Sequence, residues 1–316
     1  MKYLGELISL GVAFSWTIAA LASEVGSRRL GVFVMNVWRM AMALLLSALL
    51  LWLTLGVPWP TGATGRVWAW LLASGVVGYF FGDWCLFNSY LTIGSRMGQL
   101  FMTLAPMFAA LAAWVMIGQT LSWTALLAMA VTLAGIAISV LGRNGEHHVS
   151  VNLPLKGILY GLGAGMGQGV GLVLSKIGVD CYVEDMALQA GALTADSMGV
   201  LAIPFASNMI RCIAGLTCFA LWLVVSGNAG QMGRSLGDHR GLAAMMIAVL
   251  SGPFIGVGFS LMAVQHTAAG IASTIMALTP VLILPASRWL FGQPVTPRNV
   301  TGAVVSVLGV SLFFLL

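Results

Sequence analysis

Apolar runs separated by short polar turns fill nearly the whole chain. A helix needs ~20 predominantly apolar residues to cross a bilayer. Runs at roughly 4–24, 32–55, 67–91, 97–117, 121–141, 155–177, 200–226, 241–265, 270–291 and 298–316 predict ten transmembrane helices. The polar stretch 142–153 carries Arg143, Asn144, Glu146, His147 and His148, and reads as a solvated linker. It divides the chain into a first half, 1–141, and a second half, 154–316. A further stretch at about 178–200 holds Asp180, Glu184, Asp185 and Asp196. Charges are costly at a helix centre, so this insertion is expected outside the hydrocarbon, as a short surface helix.

The two halves repeat each other. Gly82 to Leu141 aligns without a gap on Gly256 to Leu315: Met102 meets Met276, Pro106 meets Pro280, Gly118-Gln119 meets Gly292-Gln293, and Gly135 meets Gly309. Upstream, Asn36-Val-Trp-Arg39 pairs with Asn208-Met-Ile-Arg211. Five crossings per half would insert the copies upside down to each other. That is the layout of an alternating-access carrier whose site lies between the repeats near the midplane. The predicted fold class is therefore an all-α membrane protein of ten transmembrane helices in two inverted five-helix repeats.

Composition narrows the alternatives. Only 7% of residues are charged and 59% are hydrophobic, against about 25% charged in soluble domains. The net charge of +5 belongs to loops near lipid headgroups, and no aromatic-basic stripe points to nucleic acid. Lys2, the apolar run after it and Ala20-Leu21-Ala22 imitate a signal peptide, but the sixth helix has this segment as its counterpart, so an uncleaved first helix is expected. The four cysteines form no CxxC pair and read as small buried hydrophobes. No ligand spacing suggests a metal, and no cofactor is expected. No G-x-x-x-x-G-K-[ST] motif is present, and an enzyme would need facing clusters of His or carboxylates.

Ionisable groups inside the membrane are functional candidates by default. Asp83 has two readings: a proton carrier in the cavity, or a partner that pairs with Arg39 and ties helices together. Arg39 and its mate Arg211 are suited to a substrate carboxylate or phosphate through paired hydrogen bonds, or else they snorkel to the headgroups. Glu24, four residues before Arg28, reads as one half of an i,i+4 pair. Uncharged candidates for substrate contact are Trp16, Tyr79, Gln99, Thr103, Gln168, Gln265 and Ser273, the last being the repeat mate of Gln99. Pro106 and Pro280 each free a carbonyl one turn earlier, so both are candidate hinges. The sixth helix carries glycines at every second position from Gly161 to Gly171, giving two smooth sides for close packing and a candidate bending point at Gly165. Gln168 is placed to reach a substrate across the Gly161–Gly165 side. Trp52, Trp59, Trp68 and Trp70 fit an interfacial belt.

The pattern MGQLFMTLAPMFAALAAWVMIGQTLS and its second copy IASTIMALTPVLILPASRWLFGQPVT resemble the drug/metabolite transporter superfamily. Within it they resemble bacterial carriers with two EamA-type repeats. The likeness implies a secondary transporter in the cell inner membrane, exporting a small polar metabolite such as an amino acid. Proton coupling through Asp83 would fit that reading. The expected partners are the solute, protons and lipid, in a monomer or weak homodimer. The alternatives are a carrier of phosphorylated or nucleotide-sugar solutes, or a membrane scaffold. The family's Glu after the Gly at the fourth-to-fifth and ninth-to-tenth turns is replaced here by Gln119 and Gln293. The resemblance implies cytoplasmic termini, yet Arg28, Arg29, Arg96, Arg143, Lys156, Arg234, Arg240 and Arg298 follow odd-numbered helices, which the positive-inside rule places in the cytoplasm.

Overall fold

The computed structural model describes residues 3–120, 122–143, 149–151, 153–190, 198–256, 259–260, 263, 275–292 and 295–315. Helices α1 (Leu4–Leu30) and α2 (Val32–Leu55) meet at Gly31. Next come α3 (Gly65–Ser74), a π-helical segment (Gly75–Gly82) and α4 (Asp83–Met102), which follow one another without a loop. Helix α5 spans Ala105–Ile117 and α6 Trp123–Val140. Short antiparallel strands β1 (Leu141–Arg143) and β2 (Val149–Val151) stand where the linker was expected. The second half has α7 (Leu155–Ala190), α8 (Met198–Val225), a short α9 (Gly230–Ser235), α10 (His239–Val249), a second π-helical segment (Leu250–Gly256), α11 (Thr279–Phe291) and α12 (Pro297–Leu315).

The repeat persists in three dimensions. The offset that carries Gly82 onto Gly256 also carries α5 onto α11, and both helices end at a left-handed glycine, Gly118 or Gly292. It brings the two π-helical segments into register, both closing on a glycine. The α6 and α12 helices are mates and pack on each other through Gly135, Gly302 and Gly309, where any Cβ would strike Ser306, Ser139 or Thr132. Helices α2 and α8 likewise pack together. Each half sends its first helix into the other: α1 packs on α10 and α11, and α7 packs on α3, α4 and α5. The halves are therefore interlocked rather than juxtaposed.

Glycine explains why α7 fits. Gly167 and Gly171 lie against Gly82 and Gly78 of the first π-helical segment, while Gly161, Gly165 and Gly169 lie against Phe101, Leu104 and Ala105. The two smooth sides read from the sequence thus serve two different helices, and α7 is continuous through Gly165. The expected end of this helix near residue 177 is wrong, and so is the separate surface helix. α7 runs on to Ala190, and its acidic extension is balanced locally. Asp180 pairs with Lys176 at 2.7 Å, Glu184 with Arg66 at 2.5 Å, and Asp185 accepts from the Thr64 hydroxyl at 2.6 Å. Asp196 lies outside the described residues.

Among the described residues, six helices are long and apolar enough to cross a membrane, and α5 is a shorter apolar helix. The exterior agrees: Leu53 is 74% exposed, Val115 74% and Trp289 88%. Many further large apolar side chains are exposed, which a water-soluble chain of this size does not show and a membrane-spanning exterior requires. Several buried hydroxyls and amides bond back inside their own helices, as Ser9 on Gly5, Asn36 on Val32 and Thr132 on Ala128, a local solution that suits hydrocarbon surroundings.

Candidate functional site

Two breaks shape the interior. Pro106 and Pro280 sit at the first turn of α5 and α11, where a missing N–H is tolerated. Just before them, Thr103 and Leu104 bond back to Leu100 and Phe101, and Leu278 bonds back to Ile275, tightening both chains into turns. Between these turns lies a cavity of about 300 Å³. The first half contributes Trp16 from α1, Gln99, Met102 and Thr103 from around the end of α4, and Pro106. The second contributes Met276, Ala277, Thr279 and Pro280, with Val310 from α12. Among the described residues its wall is mostly apolar, and the polar groups come from Gln99, Thr103 and Thr279.

A second polar group lies deeper in the interlocked helices. Arg39 and Asp83 form an ion pair, with side chains 13% and 5% exposed. Gln168 donates to the other carboxylate oxygen of Asp83 at 2.8 Å and to the Gly78 carbonyl at 3.3 Å. Arg39 also donates to Asn36 Oδ1, and its guanidinium lies 5.0 Å from the Phe87 ring centre. The Arg211 guanidinium sits 4.2 Å from the Tyr79 ring centre, and the Tyr79 hydroxyl bonds Asn208 Oδ1. Both arginines are thus held against aromatic rings of neighbouring helices instead of snorkelling to the headgroups.

The repeat mates have diverged. Asn36 accepts from its own Arg39, whereas Asn208 is taken by Tyr79. The position matching Asp83 in the second half is Val257, so that half lacks the carboxylate.

The residues predicted as one site therefore fall in two places. Trp16, Gln99, Thr103, Pro106 and Pro280 line the cavity. Arg39, Tyr79, Asp83, Gln168 and Arg211 do not; they form the buried polar group. Gln168 does not reach across the Gly161–Gly165 side, because its amide is committed to Asp83 and the Gly78 carbonyl. Gln265 and Ser273 lie outside the described residues. A chain of contacts joins the two places: Arg39 lies over Phe87, Phe87 stacks on Tyr90 at 5.7 Å, and the Tyr90 hydroxyl accepts from Gln99 at 2.6 Å. Two further residues, Tyr90 and Thr279, belong to these places. Thr279 stands directly before Pro280, where a hydroxyl compensates a freed carbonyl, and that signal was readable. Tyr90 had no comparable signal.

The family model for the EamA-like transporter family matches residues 3–141 and again 155–315. The chain belongs to that family. It is accordingly a multi-pass membrane transporter carrying two EamA repeats. In architecture it is similar to a solved protein titled only "Crystal structure of protein", at a TM-score of 0.58 and 16% identity, covering 100% of this chain and 98% of that one. No curated protein matches this chain in sequence.

Proposed function

We propose that this transporter is a secondary carrier working by alternating access, with ten crossings in two five-helix halves of opposite orientation. The observation that carries the proposal is the cavity itself. It lies between two repeat-related helix breaks, and both halves supply its wall. Broken helices at a repeat interface are where carriers hold their solute. A scaffold has no use for such a space.

The solute is a small metabolite of mixed polarity and amino-acid size, and the direction is export across the inner membrane. The cavity lies at the small end of the ~300–1,000 Å³ range of ligand pockets. Among the described residues its wall has no Arg or Lys, which argues against phosphorylated and nucleotide-sugar solutes. Asp83 ties α2, α4 and α7 together, and proton coupling through it requires the Arg39 pair to open during the cycle.

Metabolite profiling of cells and medium tests the reading. Ala277→Trp places an indole in the cavity. At equal membrane level, the wild-type protein should shift at least one small metabolite into the medium, and Ala277→Trp should not. Identical profiles for wild type, Ala277→Trp and a strain lacking the protein would refute it.

A further inference from the structure

Most polar protons on the described cavity wall are already spent. A hydroxyl has one proton and two lone pairs. Thr103 donates its proton to the Leu100 carbonyl at 2.6 Å, and Thr279 donates its own to the Met276 carbonyl at 3.0 Å. Both hydroxyls can therefore only accept from a solute. Gln99 commits an amide proton to Tyr90 at 2.6 Å, which leaves one N–H and the carbonyl oxygen. Beside Met102, Pro106 has no N–H to offer the Met102 carbonyl. The Trp16 indole nitrogen packs against Gly256, where a Cβ would collide with it. Its N–H edge is thus turned to the second π-helical segment.

Among the described lining residues, what remains is rich in acceptors and poor in donors. The Trp16 ring attracts cations through its π face, and the Met102 and Met276 sulfurs are polarizable, weak acceptors. A carboxylate would meet lone pairs and, among the described lining residues, no cationic side chain. A protonated amine would meet partners for its three N–H groups.

We infer that the solute is an organic amine: a protonated amino group on a small apolar body, without a free carboxylate. This rests on the cavity being the solute site, as proposed above. The ammonium is held by Thr103, Thr279 and Gln99, and the apolar body lies against Met102, Met276 and Val310.

Binding of three matched probes to the purified transporter tests it: 2-phenylethylamine, 2-phenylethanol and 3-phenylpropanoate, measured by calorimetry at neutral pH. The amine should bind about tenfold or more tighter than the carboxylate, as expected for charge-assisted hydrogen bonds, with the alcohol between them. Ala277→Trp should abolish amine binding, and the double variant Thr103→Val, Thr279→Val should erase most of the preference. Carboxylate or alcohol binding as tight as the amine, yet lost in Ala277→Trp, overturns the amine assignment and leaves the cavity as the site. Probe binding that survives in Ala277→Trp overturns both. Absence of amine binding at millimolar concentration overturns the amine assignment, while metabolite profiling still judges the cavity independently.

Discussion

The buried carboxylate of Glu24 accepts the backbone N–H of Ser95 at 2.6 Å, and its other oxygen pairs with Arg28 at 2.7 Å. Ser95 follows Gly94, whose left-handed backbone (φ 80°, ψ 156°) breaks α4. A helix restart leaves N–H groups without partners, and here α1 supplies the cap from across the bundle. The sequence reading of Glu24 as a partner of Arg28 holds, but the cap is the larger role. Glu24→Ala leaves that N–H unsatisfied and should cost ~1–3 kcal/mol. Glu24→Gln keeps an acceptor and should cost less. Thermal stability of the purified variants checks the order Gln above Ala.

Arg39 and Asp83 hold each other deep between α2 and α4. Removing one partner of a buried pair typically costs ~3–5 kcal/mol, because the other charge is left uncompensated. Asp83→Asn should lower both the yield of folded protein and its thermal stability. The double variant Asp83→Asn, Arg39→Gln should regain part of that loss. A double-mutant cycle measures the coupling. A fully stable Asp83→Asn protein that has lost pH-driven transport would instead make Asp83 a proton carrier.

Tyr90 is buried, stacks on Phe87 and fixes the Gln99 amide at the cavity. Tyr90→Phe preserves the ring and removes one hydrogen bond. A net hydrogen bond is worth ~0.5–1.5 kcal/mol, so solute affinity should fall about 3–10-fold with little change in membrane level. Transport at varied solute concentration should show the change in apparent KM rather than in maximal rate.

Asp238 lies in the turn before α10, where the Gly241 N–H and then Arg29 hold its carboxyl below the usual carboxylate range. A depressed pKa stabilises the fold above the unfolded-state value of ~3.9 and loses that contribution as pH falls through the folded value. Asp238→Asn should melt below the wild type at neutral pH, and the difference should shrink below about pH 4. A constant difference across that range would show the cap, rather than the charge, to be what counts.

Much of the architecture was legible because it rests on covalent chemistry and repetition. Pro106 and Pro280 cannot bond the turn before them, so both helix breaks follow from the alignment of the halves. The Arg39–Asp83 pair was readable because neither charge tolerates lipid alone. The π-helical segments were not readable: composition is silent on whether an N–H reaches four or five residues back. The length of α7 was misjudged because Asp180 and Glu184 look like an exit from the membrane. They mark the end of the apolar run, and the helix continues past it with both carboxylates exposed and paired to Lys176 and Arg66. The split of the site depends on how α1 and α7 cross into the opposite halves, which no local pattern encodes.

The central claim is that the cavity opens alternately to the two sides of the membrane. Thr103→Cys puts a thiol on its wall, in a background where Cys218, the one native cysteine that is not buried, is replaced by Ser. The measurement is labelling of that thiol by a membrane-impermeant reagent in vesicles of both orientations. The account predicts labelling from either side, reduced from both by Ala277→Trp. Labelling from one side alone, under every solute and gradient condition, would contradict it.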